Sequence, residues 1–145
     1  MQLNNPDLLK QQLYIDGAWV NAADKKTFAV TNPATGGQIA HVPSATAAQV
    51  EHAVEAAETA LATWKLTTAK ERSALLRKWF NLIVENQEDL AVILSTEQGK
   101  PLTESRGEIL YGASFIEWFA EEAKRLYGDV IPTTAANRRL LTIKQ

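Results

Sequence analysis

Cysteine is absent from all 145 residues. Disulfides, thiolate-bound metals and a cysteine nucleophile are thereby excluded from this chain. Histidine is scarce: only His41 and His52 occur. A Ser-His-Asp triad would have to use one of them, and a histidine-rich metal site lacks ligands. The 7 glycines form neither G-x-G-x-x-G nor G-x-x-x-x-G-K-[ST], so neither common phosphate cradle is written here. No apolar run approaches the ~18 residues of a membrane span. The first ten residues carry Asn, Asp and Pro where a signal peptide has its apolar segment, which points to a soluble cytoplasmic protein. The 15 Lys and Arg against 17 Asp and Glu leave a net charge of -2, without the basic footprint of a nucleic-acid binder.

What remains is ordinary globular composition, 46% hydrophobic and 22% charged. A chain of this length supports one domain and buries about two-thirds of its extended-chain surface. Leu13 to Val20 sets Asp16-Gly17 between two apolar runs, the strongest short hairpin signal, because glycine accepts positive φ without steric cost. Thr27 to Thr31 continues in β-favouring residues, and Thr31 to Gly37 is turn chemistry. A short strand is expected over Ile39 to Val42, ended by Pro43.

Four helices are expected next. Thr46-x-x-Gln49 and Thr68-x-x-Glu71 are capping-box patterns that open the first two. Val50, Val54, Ala57, Leu61 and Trp64 make one apolar stripe on the first. Leu75, Leu76, Trp79, Phe80 and Ile83 make a broad apolar face on the second, with Arg77 assigned to the opposite, polar side. Asn86 is the expected N-cap of a third helix reaching Gln98, with Gly99 at the C′ position. The fourth is expected over Thr103 to Tyr127, with apolar rows on Ile109, Ala113, Ile116, Ala120 and Ala123 and on Gly112, Phe115, Phe119 and Leu126. Gly107 and Gly112 each weaken a helix by ~1 kcal/mol relative to Ala, which implies a close approach there. Val130 to Pro132 and Arg139 to Lys144 read as extended. The strand Leu140 to Ile143 has nothing downstream to pair it, and the sequence reads as unfinished.

Few residues suggest chemistry. Glu104 and Glu108, and Glu117 and Glu121, stand at i,i+4 and could act as acid and base. A solvated acidic face, with Glu121 paired to Arg125, is the preferred reading. A metal at His52, beside Glu51 and Glu55, would need ligands that are not there. Both histidines are read as ordinary side chains, and the tryptophans Trp19, Trp64, Trp79 and Trp118 as core packing. Arg138, Arg139 and Lys144 make a slightly basic tail with no aromatic between them, unlike a nucleic-acid platform.

Five collinear segments carry a resemblance. They are Tyr14-Ile-Asp-Gly-Ala-Trp-Val20, Thr31-Asn-Pro-Ala-Thr-Gly36, Thr68-Ala-Lys-Glu-Arg72 with Leu76-Arg-Lys-Trp-Phe-Asn81, Glu97-Gln-Gly-Lys-Pro101, and Ala113 to Glu122 with Arg125 to Pro132. In order and spacing they resemble the N-terminal part of the aldehyde dehydrogenase superfamily, and the last, together with the Thr68 to Asn81 segment, is similar to bacterial succinate-semialdehyde dehydrogenases. The resemblance implies an α/β parent fold with a Rossmann-like cofactor domain. Within it, this segment is mainly α-helical with an N-terminal β-hairpin. Residues 1–127 would belong to the cofactor-binding domain, packing on its sheet. Residues 128–145 would be strands entering the oligomerisation domain of a homo-oligomer, and the catalytic domain would lie beyond the chain.

The implied parent reaction is NAD- or NADP-dependent oxidation of succinate semialdehyde to succinate, a step of 4-aminobutyrate degradation. In the family, a cysteine thiolate attacks the aldehyde, hydride passes to the nicotinamide, and a glutamate activates water. An asparagine and a backbone N–H hold the oxyanion. No residue of this chain matches any of these, so no catalytic, cofactor-binding or metal residue is carried over, and the segment alone is expected to be inactive and to bind no cofactor. The resemblance places Gly107 and Tyr111 at the border of the substrate funnel, with helix packing as the competing role. Main-chain carbonyls near Val30 and Glu97 lie close to a monovalent-cation site in some relatives. Two rivals stay open: a dehydrogenase of another small aldehyde such as glutarate semialdehyde, and a non-catalytic interaction module using its strand edge.

Overall fold

A computed structural model describes residues 1–144. The chain begins as an arm with a single 3-10 turn at Pro6–Leu8. A tight hairpin follows, β1 (Leu13–Ile15) and β2 (Ala18–Val20), antiparallel with Tyr14 opposite Trp19. Asp16 and Gly17 both take positive φ, 49° and 77°, the geometry of the two-residue turn that matches strand twist. A second hairpin pairs β3 (Thr27–Thr31) with β4 (Gln38–Pro43). In its turn the Asn32 side chain accepts from the N–H groups of Ala34 and Thr35 at 2.9 and 3.2 Å, the local bonding that makes asparagine a turn residue.

The four helices are α1 (Ala47–Trp64), α2 (Ala69–Glu85), α3 (Gln87–Gln98) and α4 (Leu102–Glu122). Both capping boxes form. Gly99 ends α3 with φ +83°, and a Cβ there would sit 2.8 Å from Pro33 Cγ. The end of α3 therefore rests on the loop after β3. Asn86 does not cap α3 with its side chain; its amide donates to the Leu82 carbonyl and closes α2 instead. Helix α4 stops at Glu122, short of the expected Tyr127, and Ala123–Arg125 tightens into a 3-10 turn, a common way for a helix to end.

Helix α4 packs on both α2 and α3, while the main neighbour of α1 is β1. Small residues make the close contact: Ser73 of α2, Ala91 of α3, and Ser105, Ala113 and Ala120 of α4 are all buried. Ser95 and Ser105 satisfy each other across the α3–α4 contact at 2.8 Å. The apolar stripe of α1 is exposed, as are all four tryptophans. These rings do not fill a core within residues 1–144: Trp19 meets Tyr14 at a centroid distance of 5.1 Å, and β1 lies beside Val50 and Val54 of α1 without burying them.

Three two-stranded antiparallel sheets are the whole β content among the described residues. The last pairs β5 (Val130–Ile131) with β6 (Leu140–Leu141). The expected orphan strand at Leu140 thus has a partner upstream. Gly128 permits it, since any Cβ there would collide with the Thr142 carbonyl. The close approach expected at Gly107 and Gly112 does not occur; both face open space within this chain.

Candidate functional site

Helix α4 is held to its neighbours by ion pairs that fix which face looks outward. Arg106 grips Glu88 of α3 through two bonds of 2.7 Å, and Gln87 donates to the Arg106 carbonyl at 3.0 Å. The Arg106 guanidinium holds the Glu88 carboxyl below its ordinary range. Lys100 pairs with Glu108 across the turn into α4. Further along, Arg77 of α2 reaches Glu117 at 2.5 Å and Glu121 at 3.1 Å. Lys124 and Arg77 together hold the Glu121 carboxyl low.

These pairings agree with the preferred, non-catalytic reading of the carboxylates and change only their partners. Glu108, Glu117 and Glu121 are ion-paired, so they balance charge rather than exchange protons. Arg77 faces α4 instead of the solvent side of α2, and Arg125 pairs with Glu122, not Glu121.

With that side clamped, Gly107, Tyr111 and Phe115 form a column of successive turns on the open side of α4. Tyr111 is 65% exposed, and its ring meets Phe115 edge-on with centroids 4.9 Å apart, a favoured aromatic geometry. The Tyr111 hydroxyl makes no hydrogen bond among the described residues, and Gly107 leaves open space one turn away. The column thus presents a phenol donor beside a gap. Farther along α4, a groove of about 960 Å³ runs past Phe115, Trp118 and Phe119, with Arg77 and Glu121 on its wall.

The histidines take no part. His41 is exposed on β4, its backbone N–H donating to Gln11, and His52 is exposed on α1. No group of three or more His, Cys, Asp or Glu converges among the described residues, and no helix there is long and apolar enough to cross a membrane.

Two residues that matter structurally escaped the sequence reading. Asp89, buried in the first turn of α3, takes the N-terminal arm. Gln49, beyond completing its capping box, bonds Asn21 and Ala23 at 2.9 Å each. An acidic side chain in a first helical turn was the available signal for Asp89; nothing local marks Gln49 for its second task.

Residues 19–145 match the aldehyde dehydrogenase family model. The chain belongs to that family. It is 57% identical to the glutarate-semialdehyde dehydrogenase of Pseudomonas putida over its whole length, covering 30% of that protein. It is 52% identical to the NADP(+) succinate-semialdehyde dehydrogenase of Escherichia coli, again over its whole length and 30% of the relative. A crystal structure of an E. coli NADP-dependent enzyme superposes with a TM-score of 0.95 at 51% identity, covering 99% of this chain and 30% of that one. The chain thus spans about 30% of the length of the aldehyde dehydrogenases it matches.

Proposed function

We infer that these residues are the N-terminal part of an NAD(P)-dependent semialdehyde dehydrogenase, with succinate semialdehyde as substrate and succinate as product. The observation that carries this reading is identity above 50% across the entire chain to enzymes named for short semialdehydes. Glutarate semialdehyde is the rival substrate, favoured by the 57% identity to a glutarate-semialdehyde dehydrogenase. The two substrates differ by one methylene, which an apolar pocket discriminates by about 1–3 kcal/mol.

In this reading residues 1–127 support the cofactor-binding domain and residues 128–145 lead into the oligomerisation domain of a homo-oligomer. Gly107 and Tyr111 border the route of the aldehyde, the glycine leaving room and the hydroxyl donating to a polar substrate. Support for that role comes from the exposed, unbonded hydroxyl and the open space beside it. The described residues do not fit a dinucleotide: they hold no glycine-rich loop, and the large groove has ion-paired side chains on its wall. NAD or NADP would be held by other parts of the enzyme, as would the thiolate, since this chain has no cysteine.

The test is reduction of NAD+ and NADP+, followed at 340 nm, by a family-length protein carrying these residues. A kcat/KM for succinate semialdehyde at least tenfold above that for glutarate semialdehyde supports the reading. The reverse ratio moves the substrate to the longer semialdehyde, and no turnover of either overturns the proposal.

A further inference from the structure

Gly107 is flanked near the start of α4 by three residues that are each tied to another part of the chain. Ser105 is fully buried and shares a 2.8 Å hydroxyl bond with Ser95 of α3. Arg106 donates to both carboxylate oxygens of Glu88, through Nε and Nη2 at 2.7 Å each. Its carbonyl also accepts from the Gln87 side-chain amide at 3.0 Å. Glu108 pairs with Lys100, just ahead of the helix. Gly107 itself is free: a methyl built there would meet nothing within 4 Å. An isolated surface ion pair holds little, but a bidentate fork backed by a main-chain bond fixes orientation as well as distance.

We propose that Arg106 is a positioning residue for the aldehyde site. By locking onto Glu88 and Gln87 of α3, it fixes the rotation of α4 that sets Gly107 and Tyr111 beside the aldehyde. The inference rests on the functional reading, in which Gly107 and Tyr111 border that route. Arg106 touches neither substrate nor cofactor in this assignment. Helix geometry gives the lever. At 3.6 residues per turn, Tyr111 stands about 140° around the axis from Arg106, so the grip on α3 turns the phenol away from that contact. A rotation of about 10° moves a side-chain atom 5–6 Å from the axis by roughly 1 Å. Misplacement on that scale is enough to weaken a contact with bound substrate. Lysine cannot replace the arginine here, because an ammonium offers a point charge and no planar fork.

Initial rates of a family-length enzyme carrying these residues test it. Arg106→Lys keeps the charge and loses the fork, while Glu88→Gln removes the anion that the fork grips. Each should raise KM for the semialdehyde about three- to tenfold, with kcat and the KM for the nicotinamide cofactor within about twofold of the parent. In a Tyr111→Phe background, Arg106→Lys should add little. The double variant's KM stays within about twofold of Tyr111→Phe alone, because both changes act through one contact. Arg77→Lys weakens the other clamp on α4, toward Glu117 and Glu121, and should leave KM at the parent value. A semialdehyde KM unmoved by Arg106→Lys overturns the positioning role; where Tyr111→Phe raises KM in the same series, the functional reading stands without it. Effects of Arg106→Lys and Tyr111→Phe that multiply in full also overturn the role, since the two residues then act independently. An equal KM rise in Arg77→Lys overturns it by showing general loosening of α4. A parent enzyme that turns over neither semialdehyde overturns the functional reading itself, before any variant is compared.

Discussion

Asp89, only 4% exposed, accepts from the Asn4 backbone N–H at 2.9 Å and from the Asn4 side-chain amide at 3.0 Å. Its second oxygen takes the Asn5 N–H at 2.7 Å. One carboxylate in the first turn of α3 thus latches the N-terminal arm to a helix more than eighty positions away. Its location suits its charge, since a helix N-terminus favours an anion.

The latch makes stability sensitive to acid. The backbone N–H groups of Asn4 and Asn5 hold the Asp89 carboxyl below the usual aspartate value. The unfolded chain therefore takes up the proton first as pH falls. The stabilisation is present in full above the unfolded value of about 3.9 and is lost as acid titrates the folded carboxyl below it. Asp89→Asn should flatten that acid limb in urea unfolding measured from pH 6 to pH 2.5. It should also speed tryptic cleavage after Lys10 at neutral pH. Unchanged cleavage would show that the Asp89 latch does not hold the arm.

Glycines in α4 and glycine after it should respond in opposite directions. Gly112→Ala adds a methyl to open space and gains helix propensity, so stability should rise by about 0.5–1 kcal/mol. Gly128→Ala drives a methyl into the Thr142 carbonyl. The hairpin must then move, breaking the Thr142 N–H bond to the Asp129 carbonyl at 2.9 Å and the Asp129 N–H bond to the Thr142 hydroxyl at 3.0 Å. Thermal melts of the two variants should shift to either side of the parent.

Capping residues are the next test. Thr68→Ala removes the acceptor for the Glu71 N–H, and losses of this type run about 1 kcal/mol. Gln49→Ala should cost more than Thr68→Ala, because Gln49 also ties α1 to the loop after β2 through Asn21 and Ala23. Parallel urea titrations give the ranking; equal midpoints would show that the loop contacts add nothing.

The elements that were legible in the sequence are those whose cause is local. Asp16-Gly17 demands positive φ, Thr46 and Thr68 meet their Gln or Glu three residues on, and Gly99 must stop α3; each signal lies within four residues. What covers a helix is not local. The stripe of Val50, Val54 and Leu61 shows which face of α1 is apolar but carries no word about a neighbour, and here that face stays largely exposed beside β1. Arg77 has the same lesson from the polar side. A charge on a helix reads as solvent-facing until Glu117 and Glu121, some forty residues later, are seen to lie within reach. Gly107 and Gly112 signalled a cost to α4 without saying what it serves, and the tight contacts lay at Gly99 and Gly128 instead. For the candidate site, Gly107 and Tyr111 came from the family resemblance; the structure adds that they share an open face one turn apart.

That open face gives the last prediction. In a family-length enzyme carrying these residues, Tyr111→Phe deletes one hydroxyl and leaves the edge-on contact with Phe115 in place. If the hydroxyl donates to the bound semialdehyde, KM should rise by up to about tenfold, the worth of a neutral hydrogen bond of ~1.5 kcal/mol, with kcat little changed. Gly107→Ala should raise KM in the same direction by narrowing the gap beside the ring, while stabilising α4 as an alanine in an open helical position does. The two substitutions thus share a kinetic direction, but only Gly107→Ala should raise the melting temperature. Helix packing as the sole role of this column predicts instead that both variants keep the parent KM and that Tyr111→Phe, if it matters at all, shows itself in the melt. Initial rates against semialdehyde concentration at saturating cofactor, set beside thermal melts of the same preparations, separate the two roles.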